Sequence, residues 1–161
     1  MNGKPSEIGR KRDILLAAIT DRNSDLVEVQ AYLPRPDGKA DKFYLKTWLP
    51  GSMNGCSLKL YEPADTLAIG EGLETCLAWY CQHKIPVWSA TSAGLMEAVV
   101  IPDSVTSVII LADNDSVKTN QGLKSAKKLA ERMLADGRNV QIRIPNTVKD
   151  YADLYADKVR A

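Results

Sequence analysis

The chain has 161 residues, 45% of them apolar, which suits one domain with a real core and room for a small appendage, and no apolar run is long enough to span a membrane. A formal charge of +1 removes any global basic signal for nucleic acid and leaves that argument to local patches. Three cysteines (Cys56, Cys76, Cys81) with no CxxC pair, and a single histidine, His83, exclude a zinc site and a disulfide scaffold and fit a reduced, cytoplasmic protein.

Residues 1–24 are polar and basic at first, with Lys4, Arg10, Lys11 and Arg12. The apolar stretch Ile14 to Ile19 then predicts a short helix from Ser6 or Gly9 to Thr20, or else an interface arm of a larger architecture. Residues 25–64 read as a small antiparallel element. Leu26–Leu33 and Lys42–Leu49 alternate as strands around the turn residues Pro34, Pro36, Asp37 and Gly38. A loop follows from Pro50 to Gly55, and Leu58 and Leu60 start a further short strand.

From residue 65 to 161 the pattern becomes strand–helix alternation. Strands are predicted at Thr66–Gly70, Pro86–Trp88, Thr106–Ala112 and Val140–Ile144, the third fit for a sheet centre and the last for an edge. Between them, Leu73, Cys76, Leu77 and Tyr80 recur at helical spacing, as do Leu123, Ala126, Ala130 and Met133 up to Gly137. Thr91 or Ser92 caps a helix through Leu95, Met96 and Val99 that Pro102 stops, and Lys149–Ala156 closes the chain with a short helix. The fold class is therefore α/β: a four-stranded, mostly parallel sheet with helices on both faces, plus the small N-terminal antiparallel element.

Ligands bind at the carboxyl ends of strands in such sheets. Two acidic clusters stand there: Glu71-Gly72 after the first strand, and Asp113-Asn114-Asp115 after the third. Three carboxylates gathered in one place repel each other unless a hard cation such as Mg²⁺ or Mn²⁺ lies between them. Glu71 alone reads equally as a first-turn acid on a helix dipole, and the DxD alone as a solvated cap. Gly72 is expected to let the backbone turn tightly. Glu74 reads as helix decoration or a supporting acid. Asp150 and Asp153 read either as a cap and its N3 acid or as functional carboxylates, with Lys149 available to a phosphate. Lys118, Lys124, Lys127 and Lys128 follow the DxD and suit a phosphate backbone, though such a run is also what a solvated helix face looks like. Ser89 to Gly94 offers amides and hydroxyls to an anion or a helix cap. Trp48, Trp79 and Trp88 lie in apolar patterns and read as core.

The combination resembles the Toprim domain, the metal-binding module of bacterial-type primases, of type IA and II topoisomerases and of some nucleases. Thr91-Ser92-Ala93-Gly94 and Lys149 to Leu154 are similar to the version in phage- and plasmid-type primases and primase-helicases. The resemblance spans roughly Asp65 to Asp157. It implies that Glu71 is a metal or acid/base residue, that Asp113 and Asp115 ligate Mg²⁺, and that Asp150 matches a further acidic position of primases. Val117 stands where topoisomerases often have a third Asp, and Thr75 where primases commonly have one. A primase zinc domain and a helicase P-loop are both missing. The resemblance implies nucleotidyl transfer in DNA replication or transfer of a mobile element. Its partners would be single-stranded DNA, nucleoside triphosphates, and a helicase, relaxase or other primase domain. A non-catalytic nucleic-acid-binding adaptor and a metal-dependent nuclease are the alternatives.

Overall fold

The computed structural model describes residues 13–35, 40–45, 52–114 and 120–160. Expectations that fall on Met1 to Arg12, Pro36 to Gly38, Trp48, Asp115, Val117 and Lys118 lie outside the described residues.

The apolar stretch before Thr20 is not a helix. It forms strand β1 (Leu15–Thr20), antiparallel to β2 (Leu26–Pro34), which pairs on its other side with β3 (Ala40–Leu45). The run is apolar at every position, so its period was not readable, and its Leu and Ala content favours a helix in isolation. Pairing decides instead. Ala17 and Ile19 are buried while Leu16 and Ala18 face outward, the period-2 pattern of a strand. The antiparallel element thus starts at Leu15, ahead of the expected residue 25.

At Thr20 this sheet is bridged to the rest of the chain. Thr20 N–H donates to Ser57 O and Ser57 N–H to Thr20 O, each at 3.0 Å. The next residues form β4 (Leu58–Lys59), which pairs antiparallel with β6 (Val87–Ser89) and so joins the main sheet. With β5 (Thr66–Gly70), β7 (Ser107–Leu111) and β8 (Asn139–Arg143), that sheet has five strands in the order β4-β6-β5-β7-β8, parallel except for β4.

Helices cover both faces. On one, α1 (Leu73–His83) and α4 (Tyr151–Arg160) pack through Cys76, Trp79 and Tyr151 onto Ala68 and Leu111. On the other, α2 (Ala93–Met96) and α3 (Gln121–Ala135) pack through Met96, Ala126, Leu129 and Met133 onto Leu67, Ile69 and Ile110. Leu129 and Met133 are almost wholly buried, each worth roughly 1.5–3 kcal/mol relative to exposure. Trp79 and Trp88 belong to these cores. No described helix is long and apolar enough to cross a membrane.

Gly137, at φ +78°, ends α3, and the chain turns so that Arg138 reaches back under the α2–β7 connection. Its guanidinium donates to Pro102 O at 2.9 Å and to Ile101 O and Val105 O at 3.2 Å. Only 10% of the side chain is exposed, so its loss leaves three carbonyls short of a donor. Arg138→Ala is expected to lower unfolding free energy by ~2 kcal/mol, read as a fall in the urea midpoint at unchanged slope.

Candidate functional site

The strand order creates the site. β5 leads into α1 on one face of the sheet, while its neighbour β7 leads towards α3 on the other. Loops leaving two adjacent carboxyl ends in opposite directions open a crevice between them. Gly70 and Leu111 are in register, so Glu71, the next residue after β5, stands level with the β7 segment that ends in Asp113.

The first turn of α3 closes over these two acids. A Cβ placed on Gly122 would lie 3.6 Å from Glu71 Oε2 and 3.7 Å from both the N and O of Asp113. The Glu71 carboxylate and the Asp113 backbone therefore both border the first turn of α3. Gly122 was not visible as a site residue. Its only signal was a glycine in the first turn of an otherwise good helix former.

Backbone tethers fix both acids. Ser89, fully buried at the end of β6, donates through Oγ to Glu71 O at 3.0 Å and accepts from Thr91 N–H at 3.1 Å. On the β7 side, Ala112 N–H donates to Arg143 O at 3.0 Å and Asn114 N–H to Lys149 O at 2.7 Å. Asn114 Nδ2 reaches Pro145 O at 3.3 Å. The loop after β8 is thereby drawn to the same end of the sheet, bringing Lys149 and Asp150 with it. Asp150 is an N-cap: its Oδ1 accepts from Asp153 N–H at 2.9 Å.

Gly72 differs from expectation. Its φ of −103° and ψ of 153° are ordinary extended values, and a Cβ there meets nothing nearer than 3.8 Å. The glycine that packing demands is Gly70, where a Cβ would stand 2.6 Å from Cys76 Sγ. That thiol donates to Trp88 O at 3.4 Å, and burial pushes its pKa far up, so it stays neutral and acts as packing. Glu74 pairs with Lys42 Nζ at 2.8 Å, a contact reaching from β3 to α1 that no sequence pattern announced.

On α3, Lys124, Lys127 and Lys128 are all exposed, opposite the buried Ala126, Leu129 and Met133. Lys128 is engaged, with Nζ 3.0 Å from Glu97 Oε2, while Ser125 Oγ donates to Glu97 Oε1 at 2.9 Å. Those two contacts hold the Glu97 carboxyl below its usual range. Ser92 caps α2, its Oγ accepting from Leu95 N–H at 3.3 Å, which assigns part of the Ser89 to Gly94 segment to helix capping.

The donors brought together are carboxylate and backbone oxygens, the hard ligands that Mg²⁺ and Mn²⁺ take, with no thiolate or imidazole among the expected ligands. Among the described residues no three His, Cys, Asp or Glu side chains gather closely enough to hold a metal; Asp115, the third expected ligand, lies outside them.

Residues 66–161, more than half of the chain, match the family described as Toprim domain. No curated protein sequence matches the chain. Among solved structures, a DNA primase domain from Pseudomonas aeruginosa is 20% identical with a TM-score of 0.59, over 98% of this chain and 54% of that one. A DnaG primase catalytic domain bound to ssDNA is 17% identical with a TM-score of 0.61, over 92% and 49% respectively. The Aquifex aeolicus primase, comprising zinc-binding and RNA polymerase domains, is 16% identical with a TM-score of 0.59, over 90% and 38%. The chain thus spans about half the length, or less, of the primase structures it is similar to, and at these identities the likeness is one of fold.

Proposed function

The chain belongs to the Toprim domain family, and on that premise we propose that it is the metal-binding part of a primase-type nucleotidyltransferase serving replication or transfer of a phage or plasmid. The observation behind this reading is that the Glu71 carboxylate and the backbone of Asp113 both approach Gly122 at the β5/β7 crevice. Glu71, Asp113 and Asp115 would hold Mg²⁺ or Mn²⁺, with Asp150 a further carboxylate at that end of the sheet. When bound, the cation neutralises triphosphate charge and stabilises the negative charge that develops as a 3′ hydroxyl attacks the α-phosphorus. The protein's own part is to fix the backbone at both acids through the Ser89 and Asn114 tethers, so that little reorganisation accompanies substrate binding. The three free cysteines suit a reducing, cytoplasmic setting.

Primer synthesis and nuclease action draw on the same acids, so activity decides between them. Primer synthesis on single-stranded DNA, run beside a nuclease assay with Mg²⁺ or Mn²⁺, alone and with a candidate helicase, tests the reading. Product strands of defined length support it. Cleavage without synthesis makes the protein a nuclease, and neither activity alongside metal-dependent DNA binding makes it an adaptor.

Single-stranded DNA is proposed to lie along the exposed lysines of α3, with Lys118 and Lys149 proposed as further phosphate contacts. Lys128 already serves Glu97, so Lys124 and Lys127 contribute most. Replacing both with Ala is expected to weaken binding several-fold for every sequence alike and to reduce the salt slope by about 1.4, measured by fluorescence anisotropy.

A further inference from the structure

We propose that Thr91 is a positioning residue for Glu71: its strained turn, locked by a buried side chain, orients the Ser89 hydroxyl that holds the Glu71 backbone. The inference rests on the reading above and deepens it, by naming what fixes the first acid of the proposed metal set. Thr91 stands at φ +66°, in the left-handed region. Ser24, Lys84 and Asn120 share a positive φ, but among the described residues Thr91 is the only β-branched one that does. A branched Cβ crowds the backbone in this conformation, so the turn costs stability. Its Oγ1 is buried and lacks a hydrogen-bond partner among the described residues, a second cost at the same residue. Strain of this kind persists only where the surrounding structure over-determines it, and it gathers where a site is held ready for a ligand.

The turn secures the chain at Glu71. β6 and β5 are neighbours, with Ser89 in register with Gly70, so Thr91 leaves the same end of the sheet as Glu71. Ala90 N–H donates to Gly70 O at 2.8 Å. Thr91 N–H donates to Ser89 Oγ at 3.1 Å, and Ser89 Oγ in turn to Glu71 O at 3.0 Å. A hydroxyl has a single proton. With the Thr91 amide on one of its acceptor sites, that proton is left to Glu71 O, and the two bonds polarise one another. Two successive carbonyls, those of Gly70 and Glu71, are thereby held from β6. The helix that follows does not require the strained turn, because Ser92 caps α2 through its own hydroxyl. The buried side chain is the lock: leaving the left-handed region would swing the amide off Ser89 and pull Oγ1 from its buried seat.

Mn²⁺ is titrated calorimetrically into the full chain as wild type, Thr91→Gly, Thr91→Val, Ser89→Ala and the double variant Ser89→Ala with Thr91→Gly. Each is also unfolded in urea without metal. Glycine adopts the left-handed turn without strain and also leaves it freely. Thr91→Gly is therefore expected to lose about tenfold in Mn²⁺ affinity, the low end for a group that supports a metal ligand, while its urea midpoint holds or rises. Thr91→Val, the conservative variant, keeps the branched lock and gives up only the hydroxyl, and is expected to retain the affinity. Because Thr91 acts through Ser89, Thr91→Gly is expected to cost no further affinity in the Ser89→Ala background. Equal Mn²⁺ affinity of wild type and Thr91→Gly overturns the proposal and leaves the metal reading intact. A fall in stability that parallels the fall in affinity also overturns it, and makes Thr91 a packing residue. Equal losses in Thr91→Gly and Thr91→Val overturn it by making the hydroxyl itself the contact, as does a further tenfold loss in the double variant by placing the effect outside Ser89. A wild type that binds no Mn²⁺ overturns both the proposal and the metal reading.

Discussion

Gly70→Ala is expected to destabilise the protein by about 3 kcal/mol, the largest stability effect of any single methyl group added here. The added Cβ would stand 2.6 Å from Cys76 Sγ, with Leu111 Cδ1 on its other side at 3.5 Å. Cys76 has no room to retreat: it is fully buried and its thiol is hydrogen-bonded to Trp88 O. Either α1 lifts from the sheet or β5 shifts, and both movements displace Glu71, the residue after Gly70. The prediction therefore has two readouts. Chemical denaturation reports the lost stability, and metal-dependent binding weakens in the folded fraction. Shortening the opposing side chain reverses the strain, so Cys76→Ala in the Gly70→Ala background is expected to recover more than half of the lost free energy. Destabilisation that persists undiminished in the double variant would place the strain elsewhere.

The contrast between Gly70 and Gly72 marks what was legible in the sequence. Both glycines flank Glu71, and only the pairing of β5 with the buried face of α1 tells which one is sterically required. Strand–helix alternation from Thr66 onward was readable because Leu67 to Ile69 and Val108 to Leu111 are short apolar runs between helical stripes with a clear period. The α/β class, the carboxyl-end position of the acids and the edge position of β8 follow from that pattern. β1 was not readable, because an unbroken apolar run carries no period. β4 was assigned to the wrong sheet because two residues carry no register information; its bond to β6 is set by tertiary packing. The same holds within the site. Glu71 and Asp113 stand out in sequence as acids after apolar strands, whereas Gly122 reaches them from a later helix, over a distance that no local spacing encodes.

Replacing the acids is expected to abolish the protein's response to divalent cations. Mn²⁺ should raise the melting temperature of the wild type, because a cation that binds only the folded state adds about 1.4 kcal/mol at ten times its dissociation constant. The isolated domain should bind it weakly, since substrate phosphates supply much of the natural ligand set. In Glu71→Gln with Asp113→Asn, both charges are removed while shape and hydrogen-bonding capacity are largely kept, so the Mn²⁺ shift should vanish. Asp113→Asn with Asp115→Asn should behave the same way. In the absence of metal these variants should be at least as stable as wild type, because the repulsion expected among neighbouring carboxylates is removed. That opposite sign separates a metal site from a structural one: acids that merely capped helices or paired with cations would cost stability when neutralised. Activity should fall at least a hundredfold, as for other groups that stabilise developing charge. Calorimetric titration of Mn²⁺ giving equal affinity for wild type and both double variants would remove Glu71, Asp113 and Asp115 as the metal-binding set. The crevice between β5 and β7 would then be a binding cleft without a cation.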